Sequence, residues 1–329
     1  MIDMPLEQLR AYRGSSPRPE DFEEYWVRAL AELDEIRDRA RPGGPGLEWM
    51  DAAFQIPGVH CQDLWFDGLR GGRIHARVIV PLRDAPVPAV MQFHGYTGSA
   101  GDWSGLLPLA AAGFAVFAMD VRGQGGLSTD PGGTGINTQR GHIVRGLDDG
   151  ADDLFFRQVF LDTVMLVRVA AADPRIDAAR LGARGASQGG ALTIACAALA
   201  PEISAAWSVY PFLSDYRRVW DMDTGAQAYD EIQAWLKRRD PRHEGIEAFF
   251  TRLGYIDIQF LAERVRAHTV MLTGLNDEVC PPSSQFAAYN RLESADSRRM
   301  LLYPDFGHET LPDAADLSLQ FFREQLAKE

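Results

Sequence analysis

Ser187 stands in the run Gly185-Ala186-Ser187-Gln188-Gly189, with a glycine two positions to either side. Small neighbours permit a tight strand-to-helix turn that holds a serine hydroxyl exposed at the head of a helix, a nucleophile elbow. The context agrees. A short segment at residues 180–184 precedes the run, and QGGALTIACAALA follows, rich in helix formers and closed by Pro201. Serine is a weak nucleophile at its own pKa and needs a base, and histidine ionises in the suitable range. Of the seven histidines, His308 fits best, because it follows the apolar run RRMLLY in the loop PDFGHE and precedes the last helical stretch. The acid that orients such a base belongs after the preceding strand, where HTVMLTG leads into Leu275-Asn276-Asp277-Glu278. Asp277 is the first choice and Glu278 the second. The chain order serine, acid, histidine is that of the α/β-hydrolases, and the chemistry is acyl transfer.

Acyl transfer also requires backbone N–H donors aimed at the oxygen that becomes negative. Gln188, directly after the serine, supplies one. Tyr96, in the loop His94-Gly95-Tyr96-Thr97-Gly98 after the run PAVMQF, is expected to supply the other. The Tyr96 ring, with Pro211, Phe212 and Val279, is expected to wall a small acyl pocket. His94 orders its loop by hydrogen bonding, while His60, His75, His142, His243 and His268 lack a partner at matching spacing. The acidic cluster Asp148-Asp149 and Asp152-Asp153 has no histidine at ligand spacing and reads as a solvated loop or helix start. No metal and no cofactor is expected.

The elements that must hold these groups follow an α/β rhythm. From residue 87, short apolar runs (PAVMQF, FAVFAMD, RLGA, ISAAWSVY, HTVMLTG, RRMLLY) alternate with helical stretches at 103–112, 155–172, 188–200, 283–292 and 313–326. This is the signature of βαβ units, which with right-handed crossovers give a mostly parallel sheet with helices on both faces. Ahead of it, residues 19–41 place Phe22, Tyr25, Trp26, Leu30, Leu33 and Ile36 at helical spacing. Residues 59–66 and 73–80 alternate as a β-hairpin. The chain reads as one domain, 1–329, with an N-terminal extension at 1–46 and an inserted cap-like excursion at 211–255.

The 329 residues are 46% hydrophobic and carry a formal charge of −13. That balance repels phosphate backbones and anionic membrane surfaces, so neither nucleic acid nor membrane is an expected partner. The N-terminus has no basic stretch leading into an apolar one, and no window approaches 18 uninterrupted apolar residues. Cys61, Cys196 and Cys280 are odd in number and widely spaced, which suits a reducing cytoplasm better than a disulfide scaffold.

The residues resemble a known family, the acetyl xylan esterases and cephalosporin-C deacetylases of carbohydrate esterase family seven. The resemblance rests on Arg122-Gly123-Gln124, Gly185-Ala186-Ser187-Gln188-Gly189-Gly190 and His308-Glu309, and on MPLEQLRAYRG, PEDFEEYW, GHIVRG, FFRQVFLDTV and DEVCPPSSQFAAYN. It implies Ser187 as nucleophile, Asp277 as acid, His308 as base, and the Tyr96 and Gln188 amides as oxyanion hole. It implies a structural role for Arg122 and Gln124 and a small acetylated substrate, such as an acetylated xylo-oligosaccharide or cephalosporin C. It also implies a hexamer, a trimer of dimers, for which the aromatic residues Phe22, Tyr25, Trp26, Tyr216, Trp220, Tyr229 and Trp235 offer apolar decoration in need of cover. Arg184, Asn276 and Thr310 depart from the family pattern, Arg184 by standing where an apolar strand residue is expected. Two rival readings share the elbow: an exopeptidase of prolyl-oligopeptidase type, which would need a propeller this length does not supply, and a hydrolase fold that only binds ligands.

Overall fold

The computed structural model describes residues 2–130, 138–223, 229–293 and 297–327. Nine strands form a single sheet: β1 Glu48–Asp51, β2 Val59–Asp67, β3 Arg73–Pro81, β4 Val87–Phe93, β5 Ala115–Met119, β6 Ile176–Ala186, β7 Ile203–Val209, β8 His268–Gly274 and β9 Arg298–Tyr303. Their spatial order is β1-β2-β3-β5-β4-β6-β7-β8-β9. The β1–β2, β2–β3 and β3–β5 pairs are antiparallel, and from β5 to β9 every pair is parallel. Eleven α-helices are described: α1 Leu6–Ala11, α2 Phe22–Asp34, α3 Leu107–Ala111, α4 Phe155–Ala172, α5 Gln188–Leu199, α6 Tyr216–Met222, α7 Asp230–Arg239, α8 Ile246–Gly254, α9 Ile258–Leu261, α10 Pro282–Tyr289 and α11 Ala314–Leu326. This is the α/β-hydrolase arrangement, a mixed sheet with helices on both faces.

Both faces of the central strands are covered, so those strands read as continuous apolar runs. In β5, Ala115, Phe117 and Met119 face a core shared with Phe156 and Phe160 of α4 and Leu192 of α5. Val116 and Ala118 face the opposite core with Leu109 of α3 and Phe322 of α11. Helix α5 is buried nearly all round, which explains why its sequence QGGALTIACAAL shows no polar stripe.

Several boundaries differ from those expected. The helix expected over 19–41 ends at Asp34 and gives way to a 3₁₀ turn at Arg37–Ala40, and the stretch 103–112 likewise opens as a 3₁₀ turn at Trp103–Leu106 before α3. The strand seen only as RLGA extends back to Ile176, and β1, too short and polar to stand out, adds an edge to the hairpin. The segment 211–255 contains the three helices α6 to α8 and no strand among its described residues.

The aromatic decoration covers the chain's own core, which removes the physical argument from those side chains toward an assembly. Phe22, Tyr25 and Trp26 are buried, Phe22 against Phe260, Tyr25 against Tyr255 and Trp26 against Phe160. Tyr216 and Tyr229 are buried together, and Trp220 and Trp235 lean on Phe250 and Phe249 of α8. No helix among the described residues is long and apolar enough to cross a membrane.

Candidate active site

Parallel register brings four loops to one edge of the sheet. Phe93 of β4 pairs with Gly185 of β6, Ala186 with Val209 of β7, Val209 with Leu272 of β8, and Gly274 of β8 with Tyr303 of β9. The strands therefore end nearly level, and the residues just beyond them, 94–98, 187, 275–280 and 304–309, share the crevice where α/β sheets bind ligands.

Ser187 has φ 57° and ψ −119°, a strained backbone for a side-chain-bearing residue, and caps α5. Its N–H donates to the Val209 carbonyl, and its own carbonyl accepts from Ala191 and Phe212, which fixes the turn from three sides. The flanking glycines are sterically required. A Cβ on Gly185 would overlap the Gly189 backbone, and one on Gly189 would overlap the Phe93 carbonyl. Thr97 in the loop after β4, and Tyr210 and Leu213 in the loop after β7, also have positive φ, so the strain is concentrated around this point.

Asp277 is fully buried and accepts from His308 Nδ1 at 2.8 Å. Its Oδ1 accepts from the N–H groups of Val279 at 2.9 Å and Cys280 at 2.8 Å, and its Oδ2 also from Gln285 Nε2 at 3.3 Å. Glu278, the second choice, is exposed. The His308 ring leans on Tyr210, centroids 4.4 Å apart. Among the described residues the Ser187 hydroxyl has no hydrogen bond to His308; it lies beside the thiol of Cys280, whose ionisation burial pushes well above the usual range.

The Tyr96 loop is tied to the elbow through Gln124. The side-chain amides of Gln124 and Gln188 exchange hydrogen bonds of 2.7 and 3.0 Å, and Gln124 Oε1 also accepts from the Thr97 N–H at 3.0 Å. The Gln188 amide opens α5, so its N–H has no acceptor within the helix. His94 accepts from the Val121 N–H on Nε2 at 3.0 Å, so its Nδ1 carries the proton and donates to Gly95. Burial lowers its pKa, and its work is to order the loop. Arg122 pairs with Asp162 through two bonds of 2.6 and 2.7 Å, both side chains buried, which anchors the loop after β5, the one that carries Gln124, to α4. His75 is buried between Asp120, at 2.7 Å, and Asp63, at 2.9 Å. Asp120 in turn accepts from the N–H groups of Ala100 and Leu127 on either side of these loops.

Of the expected pocket residues, Tyr96 packs on Phe212 at 5.4 Å between ring centroids, and Phe212 packs on Tyr229 at 4.5 Å. Pro211 is buried next to Phe212, and Val279 is half-buried. The Tyr96 hydroxyl donates to Glu231 of α7 at 2.6 Å. Glu231 also accepts from the N–H groups of Ile143 and Val144. Burial raises the pKa of this carboxyl while those donors oppose the rise. Glu231, Tyr210, Gln285 and Cys280 were not singled out from the sequence for the site. Gln285 and Cys280 lie within eight residues of Asp277 and were within reach, whereas Glu231 carried no signal because its partner is 135 residues away. The acidic cluster meets arginines, Asp148 facing Arg239 at 3.1 Å and Asp153 facing Arg70.

Comparison with known proteins identifies the family. A model of the acetyl xylan esterase family, AXE1, matches residues 1–326. Acetyl xylan esterase 1 from Thermoanaerobacterium sp. superposes with a TM-score of 0.92 at 49% identity, over 98% of this chain and 99% of that one. The acetyl xylan esterase from Paenibacillus sp. R4 does so with 0.88 at 32% identity, over 98% and 100%. The acetyl esterase Axe7A of Xylanibacter ruminicola is 24% identical over 97% of this chain and 70% of its own. The chain belongs to the acetyl xylan esterase family and is a carboxylic ester hydrolase.

Proposed function

We propose that this enzyme removes acetyl groups from small acetylated alcohols through an acyl-enzyme, with Ser187 as nucleophile, His308 as base and Asp277 as the acid that holds the base. The bond between Asp277 and His308 Nδ1, made beside a strained serine at a helix start, carries the reading. With Nδ1–H committed to Asp277, Nε2 of the neutral ring is the basic nitrogen. The Ser187 hydroxyl turns from the Cys280 thiol toward His308 when substrate enters, a tightening common between free and substrate-bound sites. Its oxygen attacks the acetyl carbonyl as its proton passes to Nε2. The N–H groups of Tyr96 and Gln188 hold the resulting oxyanion, each donor contributing about 3–4 kcal/mol. Collapse expels the alcohol, which takes the proton from His308. Water, deprotonated by the same nitrogen, then attacks the acetyl-serine, releasing acetate and restoring the hydroxyl.

Tyr96, Phe212, Pro211 and Val279 close the acyl side, which favours acetyl over longer chains. Acetylated xylo-oligosaccharides are the substrate class that the relatives' names support, and cephalosporin C, with its acetoxymethyl group, has the same reacting unit. The three buried free cysteines suit a reducing cytoplasm. A hexamer follows from family resemblance alone, and light scattering coupled to size exclusion tests it: six copies of the 36.4 kDa chain are expected, and a single monomeric peak rejects them. For the reaction itself, a fluorophosphonate should add once, at Ser187. An adduct on another residue, or none on active enzyme, sinks the assignment.

A further inference from the structure

Arg184, the residue that breaks the apolar pattern three positions before Ser187, lies in a second pocket. Its Nε and Nη2 both donate to one neutral oxygen, Gln92 Oε1, at 2.8 and 2.6 Å, and among the described residues no carboxylate pairs with it. Burial lowers its pKa to about 10, so it remains charged at neutral pH. A partly buried guanidinium that no described carboxylate touches is a costly arrangement unless something in the adjoining space compensates it. That space exists. A pocket of about 590 Å³ opens between the ends of β4, β6 and β7 and the start of α11, walled by Trp207, Tyr210 and Leu311, with Asp313 and Asp316 lining it from α11. Ser187 and His308 do not line it, although Tyr210 leans on His308 and also faces this pocket.

We propose that this pocket is a binding site for a ring-bearing monocarboxylate, the carboxylate seated on Arg184 and the ring between Trp207, Tyr210 and Leu311. Guanidinium and carboxylate match in charge and fork geometry. The aromatic walls favour a flat ring over a bare ion, and the volume is that of an ordinary small-molecule site. Asp313 and Asp316 bring the charged lining to −1, but both are exposed at the rim, where water and salt screen them, so they oppose a dianion such as phosphate more strongly than a monoanion held directly on Arg184. The aspartates also offer acceptors to ring hydroxyls. Two sources share this chemistry, a sugar acid and an aromatic acid.

Calorimetric titration of the full-length wild-type protein separates them, with D-glucuronate and benzoate as acids, D-glucose and benzamide as their neutral counterparts, and inorganic phosphate. At least one acid should bind saturably, with its neutral counterpart and phosphate weaker by about tenfold or more, the usual effect of losing a charged hydrogen-bonded contact. Arg184→Gln should weaken that acid by a similar factor, and Ala315→Trp should fill the pocket and do the same. If Arg184→Gln does not fold, the acid and amide pairs on the wild-type protein decide. Protein blocked at the catalytic centre by a fluorophosphonate should bind the acid unchanged, which keeps this site separate from the reaction. The proposal fails if neither acid binds, if a neutral counterpart or phosphate binds equally well, or if blocking abolishes binding.

Discussion

The Tyr96 hydroxyl donates to Glu231 across 2.6 Å, and that bond joins the loop after β4 to helix α7 of the inserted segment. The residue whose amide is the candidate oxyanion donor is thereby held from its ring by a carboxylate that also grips the Ile143 and Val144 amides. Loop and insertion are one mechanical unit.

Breaking that link should slow the reaction more than it weakens substrate binding. A hydrogen bond to a buried charged group contributes about 1.5–3 kcal/mol. Tyr96→Phe is expected to lower kcat roughly tenfold with a small change in KM, and to lower the thermal midpoint. Steady-state kinetics on p-nitrophenyl acetate check it, and wild-type kcat in a folded Tyr96→Phe variant would show that the ring needs no anchor.

Ser187→Ala and His308→Ala should each reduce kcat by about four orders of magnitude or more, because members of such a triad act as a unit. Asp277→Asn should be severe through the wrong histidine tautomer. Glu278→Gln, altering an exposed neighbour, should stay near wild type. A damaging Glu278→Gln beside a mild Asp277→Asn would reassign the acid.

The proposed acyl wall predicts chain-length selectivity. At roughly 1–3 kcal/mol per methylene, butyrate esters should be turned over about ten to several hundred times more slowly than acetate. Phe212→Leu should narrow that ratio. Initial rates across p-nitrophenyl acetate, butyrate and octanoate measure it, and octanoate cleaved as fast as acetate would remove the wall from the account.

Asp257 makes a pH prediction away from the reacting groups. Burial, and then the neighbouring Asp215, raise its pKa to about 7. The folded protein thus holds this proton more tightly than the unfolded chain does. The stabilisation is complete below the ordinary carboxyl range and is lost as pH rises through about 7. Asp257→Asn keeps an acceptor for the Asp215 N–H, and once the Gln259 amide, whose Nε2 donates to Asp257 Oδ2 in the wild type, turns over, the new amide can donate to Gln259 Oε1, which has no partner among the described residues. The variant should therefore melt above wild type at pH 8, with the difference fading by pH 5. Melting curves across that range check it; a difference independent of pH would mean that Asp257 is charged throughout.

Much of the candidate site was legible because its signals are local. The Gly185-to-Gly189 spacing is demanded partly within its own turn, where a Cβ on Gly185 would meet the Gly189 backbone, and Asp277 and His308 each follow an apolar strand, so neighbouring residues carried the information. The rhythm of apolar runs likewise foretold a mostly parallel sheet, since strands covered on both faces must be apolar throughout. Strand β1 escaped because a short, exposed edge strand has no apolar pattern to show.

What folding alone decided lies in pairings between distant residues. Glu231 meets Tyr96, Gln124 meets Gln188, His75 sits between Asp63 and Asp120, and the aromatic decoration turns inward onto the chain's own core. The sequence marks Arg184 as out of place on a strand, but only the meeting of β4, β6, β7 and α11 gives it a pocket and bonds it to the neutral Gln92. The reason is physical. A turn or an apolar period is written into adjacent residues by sterics and solvation, whereas a hydrogen bond across a hundred residues exists only once the sheet has set its register.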